Sequence, residues 1–152
     1  MISDSRIKHL MHTGDIIITP LYGDAVQPAS IDLHINPEHL VQIKDEYYLE
    51  TVNKSDMLVS SEEWIELSNN IAGQVWPITS KMRAGITTSM GIVDPGFKGN
   101  LTIRMSGRIQ NPLPDTRLCQ IVFYEVDQVS KGYTGKYQES QGVVGDRTRE
   151  KR

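Results

Sequence analysis

The feature that most constrains the fold is an alternation of apolar and polar residues in two separate stretches of the chain. Within residues 31–35 and 101–105, every second position is apolar and the positions between them are polar. This period of two is that of a β-strand with one buried face. Turn-forming residues interrupt the chain at 36–37, 94–96 and 111–115. Short strands separated by turns predict an all-β domain, either a sandwich or a barrel.

Length, charge and cysteine content narrow the class of protein. A chain of 152 residues suits one hydrophobic core, so we expect a single domain over residues 1–152. A net charge of −3 argues against a broad nucleic-acid surface. Apolar runs are far shorter than the roughly 20 residues of a membrane span, and the N-terminus lacks a signal-peptide core. We therefore expect a cytoplasmic protein, with its only cysteine, Cys119, buried as a small apolar residue.

The two ends and the middle of the chain carry different signals. Ile7 and Leu10 share a helical face ahead of Gly14, which predicts a short N-terminal helix. Residues 44–70 are polar and mixed, and they could form a hairpin or a long loop. Residues 146–152 are mostly charged, which predicts a flexible tail unless a ligand or a neighbouring subunit orders it.

Four short segments, taken in order, carry a more specific signal. The segments are QPASIDLH (27–34), TSKMRAG (79–85), GIVDPGFKGNLT (91–102) and GKYQESQG (135–142). They resemble the patterns Gln-Pro-Ala-Ser-Val-Asp-Leu-Arg, Ser-Ser-Leu-x-Arg-Leu-Gly, Ile-Asp-Pro-Gly-Phe-x-Gly-x-Ile-Thr-Leu and Lys-Tyr-x-x-Gln-x-Gly. These patterns belong to the dCTP deaminase/dUTPase superfamily, and the resemblance is strongest to the zinc-independent dCTP deaminases.

The resemblance implies a fold, an assembly and a ligand. It implies a distorted β-barrel or jelly-roll of the trimeric dUTPase type with a short N-terminal helix. It also implies a homotrimer whose three equivalent nucleotide sites lie between subunits. In that arrangement, segment 79–85 faces the strand that carries Asp94 of a neighbouring subunit, and segment 135–142 closes over the nucleotide.

Thr79, Ser80 and Arg83 are the first candidate nucleotide ligands. They offer two hydroxyls and a guanidinium within five residues. Such groups suit phosphate oxygens, since arginine binds them through two parallel hydrogen bonds. The structural alternative is a polar turn with a surface salt bridge.

The remaining candidates follow later in the chain. Asp94 opens an Asp-Pro-Gly turn, where a carboxylate can bond a sugar hydroxyl or orient a catalytic water. Tyr133, Lys136, Tyr137 and Gln141 belong to the C-terminal segment, which is bounded by glycines. A lid of this kind can add a cation to the phosphates and a phenol to the base or sugar. The alternative is an ordinary surface tail.

One departure from the family pattern concerns its catalytic glutamate. The family motif Ile-Thr-Leu-Glu reads LTIR at residues 101–104, and residues 95–114 contain no acid. Arginine stays protonated, so it cannot activate water or carry a proton to the leaving amine. Since the alternation buries its apolar neighbours, we expect Arg104 on the pocket-facing side of the strand. There it contacts the ligand or pairs with a carboxylate such as Asp94 or Asp32.

Three functions fit these residues. The first is a nucleotide binder without deaminase activity, such as a viral protein that sequesters a nucleotide signal or a regulatory subunit. The second is a dUTP diphosphatase, with Asp94 or Asp32 orienting the water and Mg²⁺ held through the ligand phosphates. The third is an active dCTP deaminase that uses another acid. The single cysteine and the histidine spacing exclude a zinc deaminase site, so we expect no metal held by protein ligands. The setting would be a bacterial cell or a virus-infected host cell.

Overall fold

The structure is a computed structural model that describes residues 1–50 and 56–148. The helical elements are α1 (Asp4–His12), a 3-10 turn (Pro37–His39) and α2 (Thr79–Arg83). The strands of the first half are β1 (Ile16–Thr19), β2 (Val26–Gln27), β3 (Ser30–His34), β4 (Leu40–Ile43), β5 (Glu46–Leu49), β6 (Asp56–Ser60) and β7 (Trp64–Leu67). Those of the second half are β8 (Ile71–Trp76), β9 (Ile86–Thr88), β10 (Gly91–Val93), β11 (Lys98–Gly99), β12 (Thr102–Gly107) and β13 (Arg117–Glu125).

The described strands pair antiparallel in several small sheets. The largest sheet has the order β10-β8-β13-β3-β2, and two three-stranded sheets have the orders β1-β7-β11 and β6-β12-β9. Strands β4 and β5 form a separate hairpin. Over residues 1–50 and 56–148 these sheets do not close into a continuous barrel. The predicted all-β class is confirmed, and its form is the distorted jelly-roll.

The hydrophobic core lies against strand β13, which pairs with β8 on one side and β3 on the other. Phe123 is fully buried there, opposite Gly73 of β8. A side chain at position 73 would meet Ile121, because an added Cβ would lie 2.8 Å from its Cδ1. Glycine at this position therefore lets Ile121 fill the space between neighbouring strands. Cys119 is buried as predicted, and burial raises the pKa of its thiol.

Helix α1 forms as the sequence predicts. Ile7 and Leu10 are its buried residues, and both belong to the main hydrophobic cluster. The helix ends at His12, and two residues later Gly14 has a φ of 83°, in the left-handed region that glycine adopts without strain. Its amide donates to the carbonyl of Met11, so an end carbonyl of the helix is satisfied.

The segment that the sequence left open, 44–70, forms strands β5, β6 and β7 in its described part, with turns and irregular stretches between them. Strand β5 pairs with β4 across a turn at Lys44, whose φ is 56°. Strand β6 belongs to the sheet β6-β12-β9, and strand β7 belongs to the sheet β1-β7-β11. Both sequence alternatives are therefore incomplete, because only the first part of this segment is hairpin. Residues 51–55 lie outside the described ranges.

Candidate functional site

Residue 104, which the sequence resemblance aligns with the family's glutamate, lies on strand β12. Ile103 and Met105 are buried, and Arg104 points to the opposite, exposed face, as the alternation predicts. The guanidinium Nη1 of Arg104 donates to both carboxylate oxygens of Asp56 in the paired strand β6, at 2.9 and 3.0 Å. Its side chain is 51% exposed. Arg104 is thus paired with a carboxylate, and the partner is Asp56 rather than the suggested Asp94 or Asp32.

A cleft of about 350 Å³ lies between β12 and the C-terminal segment. The residues that line it are Leu58, Phe97, Asn100, Leu101, Thr102, Tyr137, Ser140, Val144, Gly145 and Asp146. Its wall combines apolar side chains with a few hydroxyl, amide and carboxylate groups, which is typical of small-molecule sites. Thr102 lies on the same face of β12 as Arg104 and lines the cleft, whereas Arg104 and Asp56 are not among its lining residues.

The C-terminal segment is attached to the turn that carries Asp94. The amide of Tyr133 donates to the carbonyl of Pro95 at 2.9 Å, and its ring contacts Phe97 edge-on at a centroid distance of 5.7 Å. The hydroxyl of Tyr133 accepts a hydrogen bond from the amide of Tyr137. Three of the predicted site residues, Asp94, Tyr133 and Tyr137, therefore belong to one connected part of the surface.

Lys136 lies in the same segment, and backbone carbonyls surround its ammonium. Its Nζ donates to the carbonyl oxygens of Arg147 and Thr148, both at 2.9 Å. The amide of Arg147 donates in turn to the hydroxyl of Tyr137 at 3.1 Å. The first residues of the predicted tail, 146–148, are thus bonded to the lid, whereas residues 149–152 lie outside the described ranges. Gln141 is exposed and follows Ser140.

The residues predicted to bind phosphate lie in a different part of the fold, on helix α2. Thr79, Ser80 and Arg83 are exposed, whereas Lys81 between them is 6% exposed. Over the described part of the chain, no side-chain hydrogen bond or ion pair joins Thr79, Ser80 or Arg83 to the C-terminal segment. The single chain therefore presents two separate groups of candidate ligands.

A set of alternating charges beneath α2 escaped the sequence reasoning. Lys81 Nζ lies 3.0 Å from Asp115, Asp115 lies 3.1 Å from Arg117 Nη2, and Arg117 Nη1 lies 3.7 Å from Asp32. Burial raises the pKa of Asp115, but hydrogen bonds from Arg117 and Lys81 outweigh it and lower that pKa to about 2. Burial raises the pKa of Asp32. The sequence around Lys81 does not predict its burial, because a lysine among polar residues is normally exposed.

A second buried pair adjoins Asp32 on strand β3. His34 Nδ1 lies 2.6 Å from Glu63 Oε1, and the side chains are 12% and 2% exposed. The ring of Tyr22 contacts that of His34, and a hydrogen bond to Glu62 raises the pKa of Tyr22 to about 12. The hydrogen bond to Glu63 raises the pKa of His34. This pair joins strand β3 to the loop before β7.

From the raised pKa of His34, we expect the His34–Glu63 pair to make the free energy of unfolding depend on pH. Since the folded pKa of His34 lies above its ordinary value of 6.5, the added stability is complete below that pH. It is lost as the pH rises through the folded pKa. In urea titrations from pH 5.5 to 9, we expect the stability advantage of the wild type over His34→Gln to shrink with rising pH. Glu63→Gln should remove most of this pH dependence, and an advantage that grows with pH would contradict the assignment.

The described ranges contain neither a cluster of metal ligands nor a helix that could span a membrane. In residues 1–50 and 56–148, no three His, Cys, Asp or Glu side chains are grouped as metal ligands would be. Over the same ranges, no helix has the length and apolar character needed to cross a bilayer.

Comparisons with known proteins agree with this fold. The "dCTP deaminase-like" family profile matches residues 38–126. The chain is 27% identical over 173 residues to "dCTP deaminase, dUMP-forming" of Persephonella marina, covering 97% of this chain and 96% of that one. It is 30% identical over 156 residues to a "Probable deoxyuridine 5'-triphosphate nucleotidohydrolase" of Sulfolobus islandicus rod-shaped virus 1, covering 95% and 96% of the two chains.

A solved structure is also similar, that of the 2'-deoxycytidine 5'-triphosphate deaminase from Agrobacterium tumefaciens. The TM-score is 0.55 at 21% sequence identity, and the match covers 80% of this chain but 46% of the other. The chain therefore spans about half the length of that enzyme, and the likeness concerns the fold. Since the family profile covers more than half of the 152 residues, the chain belongs to the dCTP deaminase-like family.

Proposed function

We propose that this chain binds a phosphorylated nucleotide and does not deaminate it. The observation that carries the proposal is Arg104, which the sequence resemblance aligns with the family's catalytic glutamate. Deamination needs a group that takes a proton from water and returns one to the leaving amine, and a guanidinium does neither. The nearby carboxylate of Asp56 accepts two hydrogen bonds from Arg104, so it is a poor substitute base.

The groups suited to phosphates are retained, in contrast to the lost acid. Thr79, Ser80 and Arg83 are exposed on one short helix, and Arg83 can bind a phosphate through two parallel hydrogen bonds. Lys136 and Tyr137 supply an ammonium and a phenol on the C-terminal segment. Within the described residues no side-chain bond joins α2 to this segment, so we infer that a site using both groups would draw them from two chains. This supports a homotrimer with sites between subunits, which light scattering would test.

The biological role that follows from binding without turnover is sequestration of a nucleotide. A protein that binds a nucleotide without turnover lowers its free concentration, so this chain would sequester a phosphorylated nucleotide, including a nucleotide signal used in defence against viruses. We assign it to the cytoplasm of a bacterial cell or a virus-infected host cell, where such nucleotides occur. Mass spectrometry of the small molecule that co-purifies with the protein would identify the nucleotide.

Calorimetry paired with an ammonia assay tests the proposal directly. We expect the wild-type protein to bind a deoxynucleoside triphosphate such as dCTP and to release no ammonia from it. Binding that is accompanied by ammonia release would show an active deaminase. A protein that binds none of the common deoxynucleotides and no cyclic dinucleotide would overturn the proposal altogether.

Arg83 allows a quantitative test of phosphate binding. A hydrogen bond to a charged group contributes about 1.5–3 kcal/mol, so Arg83→Ala should weaken binding of the triphosphate by about 10- to 150-fold. Lys8→Ala is the control, because Lys8 is an exposed cation on α1 that pairs only loosely with Asp4, at 3.5 Å. Equal losses in both variants would point to net charge and would contradict a specific role for Arg83.

A second candidate function has support from the viral relative named as a nucleotidohydrolase. Hydrolysis of dUTP between the α and β phosphates needs a carboxylate that orients water, with Mg²⁺ bound through the phosphates, and it does not need the missing glutamate. Asp94 is exposed at its turn and can serve, whereas Asp32 is 6% exposed beside Arg117. Pyrophosphate release from dUTP with Mg²⁺, lost in Asp94→Asn, would establish this activity.

A further inference from the structure

Lys81 departs from the family pattern at the centre of segment 79–85. The family pattern Ser-Ser-Leu-x-Arg-Leu-Gly has leucine at this position, whereas this chain has lysine. The lysine side chain is nonetheless 7% exposed. A buried ammonium is costly unless a carboxylate and hydrogen bonds compensate it, so its partner is part of the local structure.

That partner is Asp115, from the loop that precedes strand β13. Its Oδ1 lies 3.0 Å from Lys81 Nζ and also accepts the amide of Arg117 at 2.9 Å. Its Oδ2 accepts a hydrogen bond from Arg117 Nη2 at 3.1 Å. Both carboxylate oxygens are therefore engaged, and the loop is fixed against α2 through one side chain.

The same charges continue to the first family segment. Arg117 Nη1 lies 3.7 Å from Asp32, whose side chain is 9% exposed on strand β3. Positive and negative side chains thus alternate from α2 to β3, in the order Lys81, Asp115, Arg117 and Asp32. Their formal charges sum to zero. Because α2 has only five residues, its own hydrogen bonds contribute little to its position, and contacts with the rest of the fold must set it.

We propose that Lys81 and Asp115 are positioning residues, which hold α2 so that Thr79, Ser80 and Arg83 present their donors together to the phosphates of the nucleotide. This inference rests on the proposed function. It assigns to this family member an ionic anchor at a position where the family pattern has an apolar residue. Neither Lys81 nor Asp115 contacts the ligand in this arrangement.

The experiment compares ligands that differ only in phosphate number. Affinities of wild type, Lys81→Leu and Lys81→Arg are measured by calorimetry for deoxycytidine, dCMP and dCTP. We expect Lys81→Leu to lose about tenfold in affinity for dCTP, less for dCMP and nothing for deoxycytidine, because only the phosphates contact α2. Lys81→Arg keeps the ion pair and should retain most of the wild-type affinity.

Controls separate positioning from general destabilisation. Lys8→Leu removes an exposed lysine from α1 and should leave all three affinities unchanged. If Lys81→Leu does not fold, Asp115→Asn combined with Lys81→Met replaces it, since no buried ammonium is then left without a carboxylate and Arg117 can still donate to the amide oxygen. A wild type that binds dCTP while the folded Lys81 or Asp115 variant binds it equally well would overturn this inference alone. A wild type that binds no member of the series, no other common deoxynucleotide and no cyclic dinucleotide would overturn the proposed function as well.

Discussion

Replacing Arg104 with glutamate and Asp56 with asparagine should give this protein dCTP deaminase activity that the wild type lacks. The first change supplies a proton carrier at the family's catalytic position. The second removes the carboxylate that lies 2.9 Å from the Arg104 guanidinium and that would repel a new glutamate. Positioned acid–base groups contribute about 10²–10⁴ in rate, so ammonia release from dCTP should rise above the wild-type background by about that factor.

Two further variants make this result interpretable. The control variant combines Arg104→Gln with Asp56→Asn. It carries the same change at position 56 but has no acid at position 104, so it should release no ammonia. The single Arg104→Glu variant should be slower than the double variant, because Asp56 repels its carboxylate. Ammonia release by the wild type would overturn the proposal of an inactive binder. A double variant that binds dCTP without any turnover would contradict the register of β12 that assigns Arg104 to the glutamate position.

Truncation of Phe123 should be the most destabilising single change in the core. This side chain is fully buried on β13, between β3 and β8. Removal of a buried phenylalanine side chain costs about 3–5 kcal/mol, through lost burial and the cavity left behind. We expect Phe123→Ala to lower the free energy of unfolding by that amount in urea titrations at a fixed protein concentration.

The matched control is Val126→Ala, three residues later and 37% exposed. Its effect should stay within about 0.5 kcal/mol, as is usual for surface substitutions. An unchanged dependence of the unfolding free energy on urea would show that both variants unfold from the same native structure. A loss below about 1 kcal/mol for Phe123→Ala would mean that the core can collapse around the missing ring.

Local patterns predicted much of this fold because they reflect local physics. The helical spacing of Ile7 and Leu10 gives α1, and the alternation at 101–105 gives the buried and exposed faces of β12. Residues 44–70 were ambiguous because their strands are short and half-exposed. The pattern of β5, for example, runs from exposed Glu46 to buried Leu49 without alternation. Such strands are specified by the partners they meet rather than by their own sequence.

The candidate site was predicted less completely, because its charges pair across long sequence separations. Asp56 meets Arg104 only because β6 pairs with β12. Lys81 is buried only because Asp115 comes from a distant loop to meet it. Neither partner follows from spacing along the chain. The resemblance identified the segments that carry candidate ligands, and the tertiary structure was needed to show which charges are already compensated.

The way the C-terminal segment is fastened has a consequence for access to the cleft. Up to Ser140 the segment joins the fold through backbone bonds, including a bridge with Gly99. Beyond it, the amides of Gly142 and Val144 are accepted by the side chains of Asn100 and Thr102. Each such bond contributes only about 0.5–1.5 kcal/mol. Residues 142–144 are therefore held against the cleft by side-chain acceptors and not by sheet hydrogen bonds, so loss of these two contacts would leave the strands on the other side of the cleft intact.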